Sequence, residues 1–162
     1  MDTPETTPVR TSNRPAFLGW GVAVLLVLAA WVAAYAMRGG GEKVVMTGWQ
    51  DGLEAGQAAA EELDRPMVVL FTASWCPPCQ VLKNSVLTEP AVHDQLLAGF
   101  VPVQVDLTDR SSANPNLETA GRYGVQGIPT VLALDAEGSV LSSYRGGPEA
   151  QPFMDWLASI ER

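Results

Sequence analysis

Cys76 and Cys79 are the two cysteines of this chain, and His93 is its one histidine. Three such residues fall short of a four-ligand Cys/His zinc site or an iron–sulfur cluster. Two cysteines also cannot supply the several bridges of a small disulfide-built scaffold. Their chemistry is therefore with each other. The segment Ser74-Trp75-Cys76-Pro77-Pro78-Cys79-Gln80 follows the apolar run Met67–Phe71 and opens an expected helix. A thiol at a helix N-terminus faces unpaired N–H groups and the positive end of the helix dipole, which favours its thiolate. The thiolate is the attacking species in disulfide exchange. A spacing of three places Cys79 one turn further on, within reach of a mixed disulfide formed at Cys76. Pro77 and Pro78 suit a first helical turn, whose N–H groups need no intrahelical partner, and they stiffen the loop. The alternative is a static disulfide, which would stabilise by only about 2 kcal/mol across so short a loop. A C-x-x-C at a strand-to-helix junction favours redox chemistry.

The elements that must hold this pair alternate between strand and helix. Leu53–Leu63 is rich in helix formers and ends at Arg65-Pro66. Met67–Phe71 has the continuous apolar character of a strand covered on both faces. A helix from Pro77 is expected to break at Thr88-Glu89-Pro90, and a second runs from there to about Leu97. Phe100–Val105 is the next strand, and Asn116–Tyr123 a helix beyond the polar stretch Thr108–Pro115. Thr130–Leu134 and Val140–Tyr144 flank Asp135-Ala136-Glu137-Gly138, a hairpin signal, and Pro152–Ile160 closes the chain as a helix. The expectation is one α/β domain spanning residues 43–162.

The run Phe71-Thr72-Ala73-Ser74-Trp75-Cys76-Pro77-Pro78-Cys79 resembles the active-site segment of the thioredoxin superfamily. Tyr123-Gly124-Val125-Gln126-Gly127-Ile128-Pro129-Thr130 resembles its second signature, the cis-proline loop. The stretch Val86–Val92 and the strand and turn Phe100–Thr108 narrow the likeness to the C-terminal thioredoxin-like domains of the DsbD thiol:disulfide interchange family and related membrane-attached proteins. The resemblance implies a thioredoxin fold, a central mixed sheet flanked by helices. By it, Cys76 would be the exposed nucleophile and Cys79 the buried resolving thiol. Trp75 would shield the site, Pro77 and Pro78 would shape its loop, and Ile128–Pro129 would be a cis bond whose Ile128 backbone could pair with an extended substrate. No cofactor beyond the Cys76–Cys79 couple and no metal is implied. Proteins carrying disulfides would be the substrates, and an upstream membrane dithiol donor of DsbD type would restore the reduced state.

One departure stands out. Leu70 occupies the position where thioredoxin-type domains commonly carry a buried Asp that helps move the resolving thiol's proton. Water, a carboxylate such as Glu61 or Glu62 from a neighbouring helix, or the substrate thiolate must then take that proton. His93 reads as a surface residue, Lys83 as an exposed helix lysine, and Asp106 with Asp109 as part of a solvated loop rather than a metal pair.

Pro15–Met37 carries no charge, and the 21 residues 17–37 would rise about 31 Å as a helix against a hydrocarbon core of roughly 30 Å. They are expected to cross a membrane once, as an uncleaved signal anchor. Ala34-Tyr35-Ala36 leaves cleavage after Ala36 as the other reading. Residues 1–16 would be a disordered tail and 38–42 a flexible linker. Arg10 and Arg14 before the span balance Arg38 and Lys43 after it, so charge does not orient it. From Gly39 onward the chain holds seven cations against sixteen anions, a net −9, whereas nucleic-acid binding needs clustered cations. The sequence thus reads as a membrane-anchored thiol:disulfide oxidoreductase that reduces protein disulfides, and the resemblance implies that it faces the periplasm of a bacterial inner membrane. A cytochrome c maturation reductase and a non-enzymatic thioredoxin-fold binding module are the alternatives.

Overall fold

The computed structural model describes residues 24–30 and 46–160. Residues 24–30 are helical, with Val24, Leu25, Leu26, Val27 and Leu28 exposed. They fall inside the expected span 17–37. The remainder of that span, the tail 1–16 and the linker 38–42 lie outside the described residues. Among the described residues no helix is long and apolar enough to cross a membrane.

The elements of residues 46–160 run β1 (Gln50–Asp51), α1 (Leu53–Leu63), β2 (Met67–Thr72), α2 (Pro77–Leu82), α3 (Pro90–Gly99), β3 (Val101–Asp106), α4 (Pro115–Arg122), β4 (Thr130–Leu134), β5 (Val140–Tyr144) and α5 (Ala150–Ser159). Five strands form one mixed sheet in the order β1-β3-β2-β4-β5. β1, β3 and β2 are parallel, whereas β4 runs antiparallel to both β2 and β5. The expected thioredoxin-like architecture is present. β1 alone was not expected: two polar residues give no period to read, and it exists through its pairing with Val103 and Gln104.

β2 is central, and every one of its residues is buried. Its side chains alternate between faces, as a strand's must. Val68 and Leu70 join Leu82 and Val86 from the α2 side and Phe153 and Leu157 from α5. Met67, Val69 and Phe71 join Leu53 and Ala60 of α1 and Ala120 of α4. A strand with apolar cover on both faces needs no polar alternation, which is why it reads as a continuous apolar run. α5 is fastened over β5 by Tyr144, Phe153 and Trp156, whose ring centroids lie 5.0 to 5.4 Å apart. The Trp156 indole N–H also donates to Ser142 Oγ at 3.0 Å.

α2 continues past Leu82 as a wider turn, Lys83–Leu87, in which Thr88 N–H donates to the Lys83 carbonyl five residues back at 3.1 Å. Such π turns insert a residue into a helix. The expected break at Thr88-Glu89-Pro90 is present, with Pro90 at the first position of α3. The hairpin forms at Asp135–Gly138: Gly138 takes φ +88°, and Asp135 and Ser139 close the turn at 3.0 Å.

Candidate redox site

Cys76 and Cys79 form a disulfide, with the sulfurs 2.06 Å and the Cα atoms 5.3 Å apart. Cys76 is the N-cap of α2, and Pro77 and Pro78 fill the first positions, where their missing N–H groups cost nothing. The Cys79 N–H donates to Cys76 Sγ at 3.3 Å. The sulfur of Cys76 therefore sits at the unpaired, positive end of the helix. A charge-assisted bond from that N–H strengthens when the sulfur is a thiolate.

Both cysteines are buried. Cys79 is 0% and Cys76 only 4% exposed, which corrects the expectation of an exposed Cys76. The cause is the packing around it: Ala73 and the two cysteines form one small apolar cluster, and Ile128 closes over it. The asymmetry between the two residues survives, because Cys76 keeps a sliver of accessible surface and Cys79 keeps none. Ile128–Pro129 is a cis peptide. It leads into β4 and leaves the Ile128 carbonyl oxygen 3.7 Å from Cys76 Sγ, a van der Waals contact while the sulfur carries no hydrogen.

Ile128 packs directly on the cysteine cluster. The Trp75 side chain is 46% exposed, and its indole N–H donates to the Thr108 carbonyl at 3.1 Å. The Arg110 guanidinium lies 3.7 Å over its ring, a cation–π contact. Sequence reading missed this support because it comes from the β3–α4 loop, over thirty residues away. That loop is itself tightly tied. Asp106 Oδ1 accepts from Thr108 N–H at 2.8 Å and from the Thr108 hydroxyl, and Thr108 Oγ1 accepts from Ser74 N–H at 2.8 Å. Asn116 Nδ2 donates to the Asp106 carbonyl at 2.9 Å. Asp106 is thus a structural clip for the residues just before Cys76. Asp109 is exposed, and bonds from the Ser111 N–H and hydroxyl hold its carboxyl below the usual range.

Two further expectations are corrected. Lys83 is half-buried rather than exposed; burial lowers its pKa while the nearby Asp106 charge raises it. Glu61 and Glu62 are exposed on α1, which covers the face of β2 opposite α2, so neither reaches Cys79. His93 lies at the surface as expected, with Nε2 3.1 Å from the Thr47 carbonyl. Among the described residues no group of three His, Cys, Asp or Glu could hold a metal ion.

Beside the disulfide opens an apolar groove of about 320 Å³, lined by Pro78, Val81, Pro129, Tyr144, Gly147 and Pro148 among others. Val81 is 47% exposed along it. Tyr144 donates its hydroxyl to the Gly147 carbonyl at 2.7 Å; burial, then the Glu149 charge, pushes the phenol's pKa up and keeps it a donor.

Thr72 is 1% exposed, and its hydroxyl has no partner among the described residues. A buried unpaired polar group costs about 1–3 kcal/mol. Thr72→Val keeps the side-chain shape and removes the hydroxyl, so it is expected to stabilise the oxidised protein by about 1 kcal/mol. Thermal or denaturant unfolding of the two oxidised proteins measures this, and equal or lower stability of the variant contradicts it.

A protein-family model described as thioredoxin-like matches residues 48–136. The chain is 36% identical over 113 residues to the thiol:disulfide interchange protein DsbD of Actinobacillus pleuropneumoniae serotype 5b (strain L20), covering 68% of this chain and 18% of that protein. It therefore spans less than a fifth of that relative's length. Among solved structures, the oxidised C-terminal domain of Neisseria meningitidis DsbD is 26% identical with a TM-score of 0.57, covering 67% of this chain and 91% of that one. A thioredoxin from Thermus thermophilus is 27% identical with a TM-score of 0.57, covering 68% of this chain and 83% of its own.

Proposed function

This chain belongs to the thioredoxin-like family, and from that premise we propose that it is a thiol:disulfide oxidoreductase that reduces protein disulfides through Cys76 and Cys79. The observation that carries the reading is the position of Cys76 Sγ, at the head of α2, bonded by the Cys79 N–H and faced by the Ile128 carbonyl. In the reduced protein the Cys76 thiolate, favoured by the helix terminus, attacks one sulfur of a substrate disulfide. A Cys76–substrate bond forms, and the other substrate sulfur leaves as a thiolate and takes up a proton. Cys79 then loses its proton and attacks Cys76 Sγ, releasing the second substrate thiol and closing Cys76–Cys79. Two electrons pass to the substrate, and a dithiol donor returns them to the pair.

The Ile128 backbone, which borders Cys76 just before Pro129, would pair with the main chain of an extended substrate segment, as in strand addition. The groove beside it takes an apolar side chain next to the target cysteine. Val81→Glu places a charge in that groove and is expected to lower kcat/KM for a protein disulfide about tenfold, near 1.4 kcal/mol, mainly through KM. Unchanged kcat/KM in the variant removes the groove from the reading.

The apolar run 17–37 is assigned as a membrane anchor with the redox domain on the periplasmic side of a bacterial inner membrane, where a DsbD-type donor would reduce it. Its length supports this assignment, together with the relationship to DsbD. Cys79→Ala tests the whole reading at once. Without a resolving thiol the Cys76–substrate bond should persist, and membrane fractions from cells should yield disulfide-linked conjugates that vanish on reduction. Absence of conjugates that depend on Cys76 counts against the enzyme and favours a binding module.

A further inference from the structure

Resolution requires Cys79 to ionise, and its surroundings oppose that. It is wholly buried among Ala73, Cys76 and Ile128, and an apolar site disfavours a thiolate. β2 offers Leu70 and Thr72 on the α2 face, and β4 has no ionisable side chain. In the β3–α4 loop Asp109 and Arg110 are exposed, with Arg110 committed to Trp75. The charged groups left facing this layer are Lys83 and Asp106. Lys83 lies four residues after Cys79, with its N–H bonded to the Cys79 carbonyl, so both side chains share one helix face. Helical side chains lean toward the N-terminus, which carries the Lys83 stem back over the turn holding Cys79. Asp106 arrives from below. Val101, Val103 and Val105 occupy the opposite face of β3, so Asp106 points to the α2 side, in register with Thr72. Its carboxylate acts on Lys83 and offsets the burial of the ammonium. The unpartnered Thr72 hydroxyl adds a second polar group on that buried face.

We propose that the Lys83 ammonium is the group that lets Cys79 ionise during resolution. This rests on the dithiol mechanism above. Lys83 touches neither substrate nor the bond that breaks, so it is a positioning residue acting through Cys79. In the step it serves, the Cys79 thiol gives its proton to water and the thiolate forms beside the ammonium. The Cys76–Cys79 bond then forms as the Cys76–substrate bond breaks, and the departing thiolate takes up a proton.

The test is stopped-flow mixing of the reduced full chain with an aromatic disulfide whose thiolate product absorbs visible light. The first release reports attack by Cys76 and the second reports resolution by Cys79. In Lys83→Met the second phase is expected to slow about tenfold at neutral pH, with its pH midpoint displaced upward by about one unit. The first phase should stay within about twofold, and Lys83→Arg should restore most of the second. A second phase in Lys83→Met with the parent's rate and pH profile overturns the proposal, as does failure of Lys83→Arg to rescue. If Lys83→Met does not fold, Lys83→Gln gives the same comparison. A parent protein with no second release would instead refute the dithiol mechanism itself, so the two failures are read from different samples.

Discussion

Cys76→Ser is expected to abolish reduction of a protein disulfide, lowering turnover at least about a thousandfold, equivalent to about 4 kcal/mol of barrier. The reason is geometric as well as chemical. Cys76 alone combines a helix N-cap position, an N–H bond from Cys79 at 3.3 Å and the residual access to solvent. Cys79 is fully buried and cannot substitute for it. A serine hydroxyl keeps the cap but is not ionised at neutral pH and forms no mixed disulfide, so the fold should survive while the chemistry stops. Insulin reduction followed by turbidity, with unfolding curves of both proteins, separates the two. Retained turnover in a folded Cys76→Ser protein would mean that the sulfur at the head of α2 is not the nucleophile.

The second large effect is on folding and arises on the other face of the sheet. Gly56 lies in α1 directly against β3, and a Cβ built on it would stand 2.3 Å from Val103 Cγ2. Glycine there sets the distance between helix and sheet. Gly56→Leu forces α1 away from Val69, Phe71 and Val103 or displaces Val103 itself. Overpacking of this kind costs about 3 kcal/mol, a large share of the 5–15 kcal/mol stability of an ordinary domain. A drop of that size in denaturant unfolding is the expected result, and a variant as stable as the parent would show that α1 can shift at little cost.

Much of the domain was legible because its signals are local. The apolar continuity of Met67–Phe71 marks a doubly covered strand, and Pro77 and Pro90 each stand at the first position of a helix. The cysteine pair and Pro129 were legible as motifs. What escaped was set by contacts between distant segments. The Trp75 indole is placed by Thr108 and Arg110, and nothing in the residues around Trp75 specifies them. Lys83 looks like any helix lysine until α2 is laid on the sheet and Asp106 is found at the end of β3. Burial of Cys76 is likewise a consequence of Ile128 closing from fifty-two residues away.

The sliver of Cys76 surface left by Ile128 has a consequence for electron traffic. Displacement at sulfur needs the incoming and outgoing atoms in line, and so narrow an aperture admits few such approaches. A polypeptide that first anchors its main chain beside Pro129 is delivered along one of them, at a high effective concentration. A small free thiol has no such handle and collides mostly with apolar cover. Under the proposed function the couple would exchange with docked proteins faster than with the ambient thiol buffer, which would let it hold a poise different from that of the solution around it.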